Sequence, residues 1–182
     1  MKSSGSKQRA TKCLALTSSC EQIVPLMIFK GSRTGRIRRE ASKYPTGVRA
    51  LVNSSAWMNA EAMQYWIREI WKQYTQCQES YLLLDEFGVH KRKDVLHSLA
   101  DCNAEVDFIL PGFTSRLQVL DVGINRPFKD YVTRKYDKFM VEKEPRQRVT
   151  RLLICKWIDE VWKEVTEDAI FNTWTRTGFI PS

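Results

Sequence analysis

Apolar and polar positions along the chain repeat with two periods, one of strands and one of helices. Arg9 to Ser18 ("RATKCLALTS") and Ile23 to Lys30 ("IVPLMIFK") are apolar runs joined by the polar link "SCEQ". They predict an antiparallel hairpin. Pro25 has no backbone donor, so it is expected early in its strand or on an edge. "GVRALVNSS" supplies a third short strand. Asn59 then has the character of an N-cap, with Glu61 in the first turn, and Met63, Trp66, Ile67, Ile70, Trp71 and Tyr74 follow at helical spacing. That aromatic stripe is read as core.

The run "YLLLDEFGVH" changes the pattern. Three leucines after Tyr81 end in Asp85, with a glycine turn behind it. A continuous apolar run of this kind predicts a strand buried on both faces. Asp85 then falls at the strand's C-terminal end, where open α/β sheets hold their ligands; a turn or helix-capping role is the alternative. A helix from about Lys91 to Asp101 and the strand "AEVDFILP" complete a βαβ unit, hence a parallel pair with a right-handed crossover. The remainder reads as helical. Ile124 to about Glu144 is one segment, with Pro127 tolerable in its first turn. Leu153, Ile154, Trp157, Ile158, Val161 and Val165 mark a second. Thr166 caps a last one, which Gly178 and Pro181 terminate. The expected class is α/β, a mixed sheet with helices packed on it.

Downstream of the second parallel strand, "PGFTSRLQVLDVGINRPFKD" places Asp121 36 positions after Asp85. If the two strands are neighbours, the chain returns across the C-terminal edge of the sheet and Asp121 can approach Asp85. Two carboxylates converging there suit a hard, oxygen-seeking cation whose other ligands are phosphate oxygens and water. Helix capping is again the alternative for Asp121.

Charge sharpens this picture. The 182 residues carry a net charge of +8, and residues 1–50 hold eleven Lys and Arg against Glu21 and Glu40. The remaining 132 residues, with 18 basic and 19 acidic side chains, are close to neutral. Arg33, Arg36, Arg38, Arg39 and Lys43 cluster in "KGSRTGRIRREASK", an electrostatic match for a phosphate backbone, with a solvated loop or a nuclear-localisation signal as alternatives. Five cysteines without a Cys-x-x-Cys pair, and only two histidines, argue against zinc and against a disulfide framework. No run approaches a membrane span and none resembles a signal peptide, so a soluble, intracellular, single-domain chain is expected.

"YLLLDEFGVH", "ILPGFTSRLQVLDVGINRPFKDYV" and "IVPLMIFKG" together resemble the pogo and Tigger branch of the DDE-superfamily endonuclease domain of DNA transposases. "SSGSKQRATKCLAL" is similar to that domain's second strand and "EDAIFNTWTRTGFIP" to its closing helix. The resemblance implies an RNase H-like fold, three acids holding two Mg²⁺ or Mn²⁺ ions, DNA as partner and a nuclear location. Asp85 corresponds to the second acid, Asp121 to the third, and His90 to the histidine that follows the second; a local turn role for His90 stays open. Val119, Glu86 and Phe87 depart from the family's usual residues.

The family's first acid lies on a first, central strand upstream of residues 9–18, and residues 1–20 contain no Asp or Glu. The expected sheet therefore lacks its first central strand, leaving two unpaired edges that are templates for self-association. The implied function is a transposase-derived domain, N-terminally truncated and without a helix-turn-helix module. It would bind nucleic acid and be catalytically impaired, since two acids of a cooperative set retain little rate. Two alternatives remain: an active metal-dependent endonuclease whose first Asp comes from upstream sequence, and a host-adopted DNA- or protein-binding module.

Overall fold

The computed structural model describes residues 10–32 and 40–181. Strands β1 (Ala10–Leu16) and β2 (Gln22–Lys30) form the expected antiparallel hairpin. Its register shifts between Cys13, opposite Leu26, and Ala15, opposite Ile23, so Val24 and Pro25 together face Leu14. A bulge is one of the few places in a sheet interior that tolerates a residue without an N–H. Strand β3 (Arg49–Asn53) pairs parallel to β2 from Leu26 onward, so Pro25 precedes that ladder too.

Helix α1 begins at Ala60–Trp66, widens into a π-helical turn over Ile67–Trp71 and ends at Lys72–Thr75. Asn59 caps it as its sequence position predicts, its side chain accepting a hydrogen bond from Ala62 N at 2.9 Å. The π turn was not legible in the periodicity; across it Trp66 and Trp71 stack at 5.6 Å between ring centroids. Of the predicted stripe only Tyr74 is exposed.

Strand β4 (Ser80–Asp85), helix α2 (Lys93–Ala100) and strand β5 (Ala104–Ile109) form the βαβ unit, paired parallel from Ser80↔Ala104 to Asp85↔Ile109. A short helix α3 (Thr114–Leu117) and a π turn (Leu120–Ile124) lead into α4 (Asn125–Glu142), α5 (Arg151–Lys163) and α6 (Glu167–Thr177). Thr150 and Thr166 cap α5 and α6 through their hydroxyls. Gly178, at φ 78°, ends α6 in the left-handed region that glycine adopts without strain.

Two apolar clusters hold these elements. One joins Leu26 and Ile28 of β2 and the buried face of α1 to Leu82, Val95, Leu99 and Ala104 of the βαβ unit. The other packs Leu14, Met27 and Phe29 against α4, α5 and α6. Trp162 Nε1 donates to the Ile23 carbonyl at 3.0 Å and Trp174 Nε1 to the Thr17 carbonyl at 2.6 Å, pinning α5 and α6 to the hairpin. The architecture is thus mixed α/β, with helices on the sheets.

One expectation is corrected. Strand β4 is buried on one face only: Leu82 is in the core, whereas Tyr81 is 62% exposed. Among the described residues Tyr81 takes no part in either apolar cluster, and its hydroxyl donates to Asp107 Oδ2 across the ladder at 2.8 Å. Among the described residues the strands form two sheets, β1-β2-β3 and β4-β5, with no ladder joining β1 to β4. No helix of the described residues is long and apolar enough to cross a membrane.

Candidate active site

Asp85 is the last residue of β4, where the sequence places it. Alternation along the strand sends Leu82 and Leu84 into the core, leaving Asp85 on the opposite face. A tight turn follows, closed by His90 N donating to the Phe87 carbonyl at 2.9 Å. The turn folds His90 back so that Nδ1 stands 2.7 Å from Asp85 Oδ1 and 3.1 Å from the Asp85 carbonyl oxygen. Those two oxygens compete for one N–H, so the buried Oδ1 is near its partner without a well-directed hydrogen bond. The Phe87 ring meets the imidazole edge-on at 5.6 Å and fixes its plane. The His90 contact, opposed by partial burial, holds the Asp85 carboxyl below the usual carboxylate range. Glu86 takes no part, pairing instead with Lys91 Nζ at 2.5 Å.

Asp121 lies in the π turn ahead of α4 and is exposed. Its Oδ1 accepts a hydrogen bond from Asn125 Nδ2 at 2.7 Å, one helical turn on. It does not cap α4, whose N-cap position is Ile124, and Asp85 does not cap α2, whose N-cap is Arg92. The position of the turn depends on Gly123: a Cβ there would meet Thr173 Oγ1 of α6 at 2.4 Å. Only glycine lets α6 come that close.

Two residues at this centre carry no motif and escape sequence reasoning. Lys12 of β1 donates through Nζ to Asn125 Oδ1 at 2.5 Å and lies 4.7 Å from the Phe128 ring centroid. Burial, with the like charge of Lys129 adding to it and Asp121 opposing, lowers its pKa to about 8. Its neighbour Cys13 faces the other way, into the first cluster, and its pKa is pushed up to about 12 by desolvation first and by the charge of Asp85 second. The middle of β1 is therefore flanked by both acids, Asp85 acting on Cys13 and Asp121 on Lys12. A usable signal existed for each. Lys12 shares a strand face with Leu14 and Leu16, an odd place for an ammonium, and Asn125 stands at i+4 from Asp121.

Among the described residues no group of three or more His, Cys, Asp or Glu stands close enough to hold a metal ion. Asp85 is engaged by His90, and Asp121 is linked through Asn125 to an ammonium. A hard divalent cation seeks several oxygen ligands and is repelled by a neighbouring positive charge. This donor set does not fit a two-metal centre. Of the basic segment, Arg33, Arg36, Arg38 and Arg39 lie outside the described residues; Lys43 is exposed at the end of a short 3₁₀ turn, Ala41–Lys43.

Residues 7–174 match the family described as DDE superfamily endonuclease, and with nearly the whole chain covered, the chain belongs to that family. It is 26% identical over 174 residues to the Mus musculus protein "Pogo transposable element with KRAB domain", and 25% identical over 174 residues to the Homo sapiens protein of that name. Each alignment covers 90% of this chain and 28% of the relative. A third relative, the Homo sapiens "Pogo transposable element with ZNF domain", is 25% identical over 144 residues, which are 76% of this chain and 10% of that protein. Within its family the chain is a pogo-type DDE endonuclease domain, and it spans little more than a quarter of the length of the first two relatives. No solved structure matches it.

Proposed function

We propose that this domain, transposase-derived by family, binds nucleic acid in the nucleus and is impaired in divalent-metal-dependent phosphoryl transfer. The observation that carries the impairment is the chain Lys12 Nζ to Asn125 to Asp121, which sets a positive charge beside one of the two candidate acids. A cooperative catalytic set in which one member is disabled loses most of its rate, and here an ammonium is linked through Asn125 to Asp121. Nucleic-acid binding rests on the family and on the basic segment Arg33, Arg36, Arg38, Arg39 and Lys43.

Both halves are testable on one preparation. Affinity for duplex DNA should fall linearly in log–log form as salt rises, because Lys and Arg that neutralise phosphates release counterions. A flat salt dependence removes the basic-segment argument. Supercoiled plasmid with Mg²⁺ or Mn²⁺ should be nicked no faster by the chain than by its Asp85→Asn and Asp121→Asn variants. Nicking lost in both variants would establish an active endonuclease.

A second reading is favoured by the strand edges left unpaired among the described residues. Strands β1 and β4 contribute to one apolar cluster without sharing a ladder. A strand supplied by another part of a longer protein, or by a second copy of this chain, could pair with both. If that strand carried an acid it would complete the metal centre. Light scattering at rising concentration tests the second-copy form: a concentration-independent monomer excludes it.

A further inference from the structure

The turns that begin β4 and β5 bring together two of the five cysteines. Cys77 lies between α1 and β4 at φ 58°, following Gln76 at φ 51°; Cys102 lies between α2 and β5, just before Asn103 at φ 54°. These left-handed residues bend both connections sharply. Asn103 then latches one turn to the other: its Nδ2 donates to the Cys77 carbonyl at 2.8 Å, and its own carbonyl accepts from Ser80 N at 3.0 Å. Cys102 is 4% exposed, and Cys77, half-buried, packs against the same apolar cluster. Both side chains face that cluster from adjoining turns, and the charge of Cys77 acts on the Cys102 thiol. The other cysteines are elsewhere: Cys13 on β1, Cys20 in the hairpin link, and Cys155 in the opposite cluster.

We infer that Cys77 and Cys102 are an oxidative modification site, closing to an intramolecular disulfide when a hydroperoxide reaches the more accessible Cys77. Both are free thiols in this structure. The Asn103 latch holds the two turns against each other, and a disulfide between them requires a Cα to Cα separation of roughly 4.4 to 6.8 Å. In the first step the Cys77 thiolate attacks the peroxide, the O–O bond breaks, and sulfenic acid forms as water or alcohol leaves. In the second, the Cys102 sulfur attacks the Cys77 sulfur, the S–O bond breaks, and hydroxide departs with the Cys102 proton as water. One peroxide is reduced and two thiols are oxidised. Because Cys102 is shielded, Cys77 is the sulfur that meets the oxidant. Accessibility sets the order.

The disulfide would join the N-terminal ends of β4 and β5 and so reinforce the two-stranded sheet, at the end remote from Asp85. It closes a loop with 24 residues between positions 77 and 102. Such a cross-link should raise Tm by roughly 5 °C or more through the unfolded chain's lost freedom.

The test treats the reduced full chain with hydrogen peroxide, alkylates the remaining thiols and maps the peptides by mass spectrometry. The expected result is a product about 2 Da lighter in which the Cys77 and Cys102 peptides are cross-linked. Dithiothreitol should reverse the change, and the Cys77→Ser variant should lack it. Recovery of Cys77 as sulfinic or sulfonic acid with Cys102 unmodified would overturn the inference. So would a cross-link of either residue to Cys13, Cys20 or Cys155 in preference to each other. The mapping uses the unsubstituted chain, so a poorly folding variant does not spoil it.

Discussion

The two sheets make unequal use of their surroundings. The β1–β3 sheet has α1 on one face and α4, α5 and α6 on the other, and Leu26 and Ile28 of its central strand are fully buried. The β4–β5 sheet has α1 and α2 on one face, while Tyr81, Glu105 and Asp107 look outward from the other. Yet the more thinly covered sheet carries Asp85, and the other acid sits on the covered sheet's helix side. Burial at the candidate centre is therefore a property of β1, through Lys12 and Cys13, more than of the acids. In a centre built for metal the burial would fall on carboxylates; here it falls on an ammonium and a thiol.

That contrast can be broken in measurable steps. The largest effect should come from Leu26→Ala, which empties a fully buried site in the first cluster and should cost about 2–5 kcal/mol, while Leu83→Ala, half-buried in β4, should cost about 1 kcal/mol or less. Urea unfolding measures both, and equal costs would erase the asymmetry. Next is Gly123→Ala. Its Cβ would force α6 off the turn that holds Asp121, for roughly 1–3 kcal/mol.

The buried ammonium gives a smaller, pH-dependent effect. Below pH 8 Lys12 is protonated in both states; between about 8 and its ordinary 10.5 the unfolded chain keeps a proton that the folded chain has shed. The unfolded state binds more protons there, so stability rises with pH across that window, by roughly 2 kcal/mol. Lys12→Met should abolish that rise, as a series of denaturant midpoints from pH 7 to 10.5 would record. Asp85 works in the same sense at acid pH, and more weakly, because its carboxyl is only partly buried. Its carboxyl is depressed, so its contribution is whole above the ordinary carboxylate range and fades as pH falls through the folded value. Asp85→Asn or His90→Ala should flatten the acid limb of the stability profile.

Much of the fold was legible because local chemistry and tertiary context agree. The hairpin, the βαβ unit, and the caps at Asn59 and Thr166 each follow from residues whose local preference the packing leaves in force. Three features were not legible. The π turn in α1 depends on how Trp66 and Trp71 pack, which a 3.6-residue period does not encode. Full burial of "YLLLD" was expected from composition, but a leucine run cannot say whether a second layer lies over it. At the site, Asp85, His90 and Asp121 stood out by motif, whereas Lys12 offered only the weaker signal of an ammonium on an apolar strand face, its contact to Asn125 being 113 positions away in sequence.

The most direct test is a Mn²⁺ titration of the full chain followed by the electron paramagnetic resonance of the free ion, with Asp121→Asn beside it. With an ammonium beside Asp121 and too few oxygens around it, the signal should rise in step with added Mn²⁺, identically for both proteins, up to millimolar concentration. Stoichiometric binding at micromolar Mn²⁺, lost in Asp121→Asn, would contradict the account and return the centre to metal chemistry.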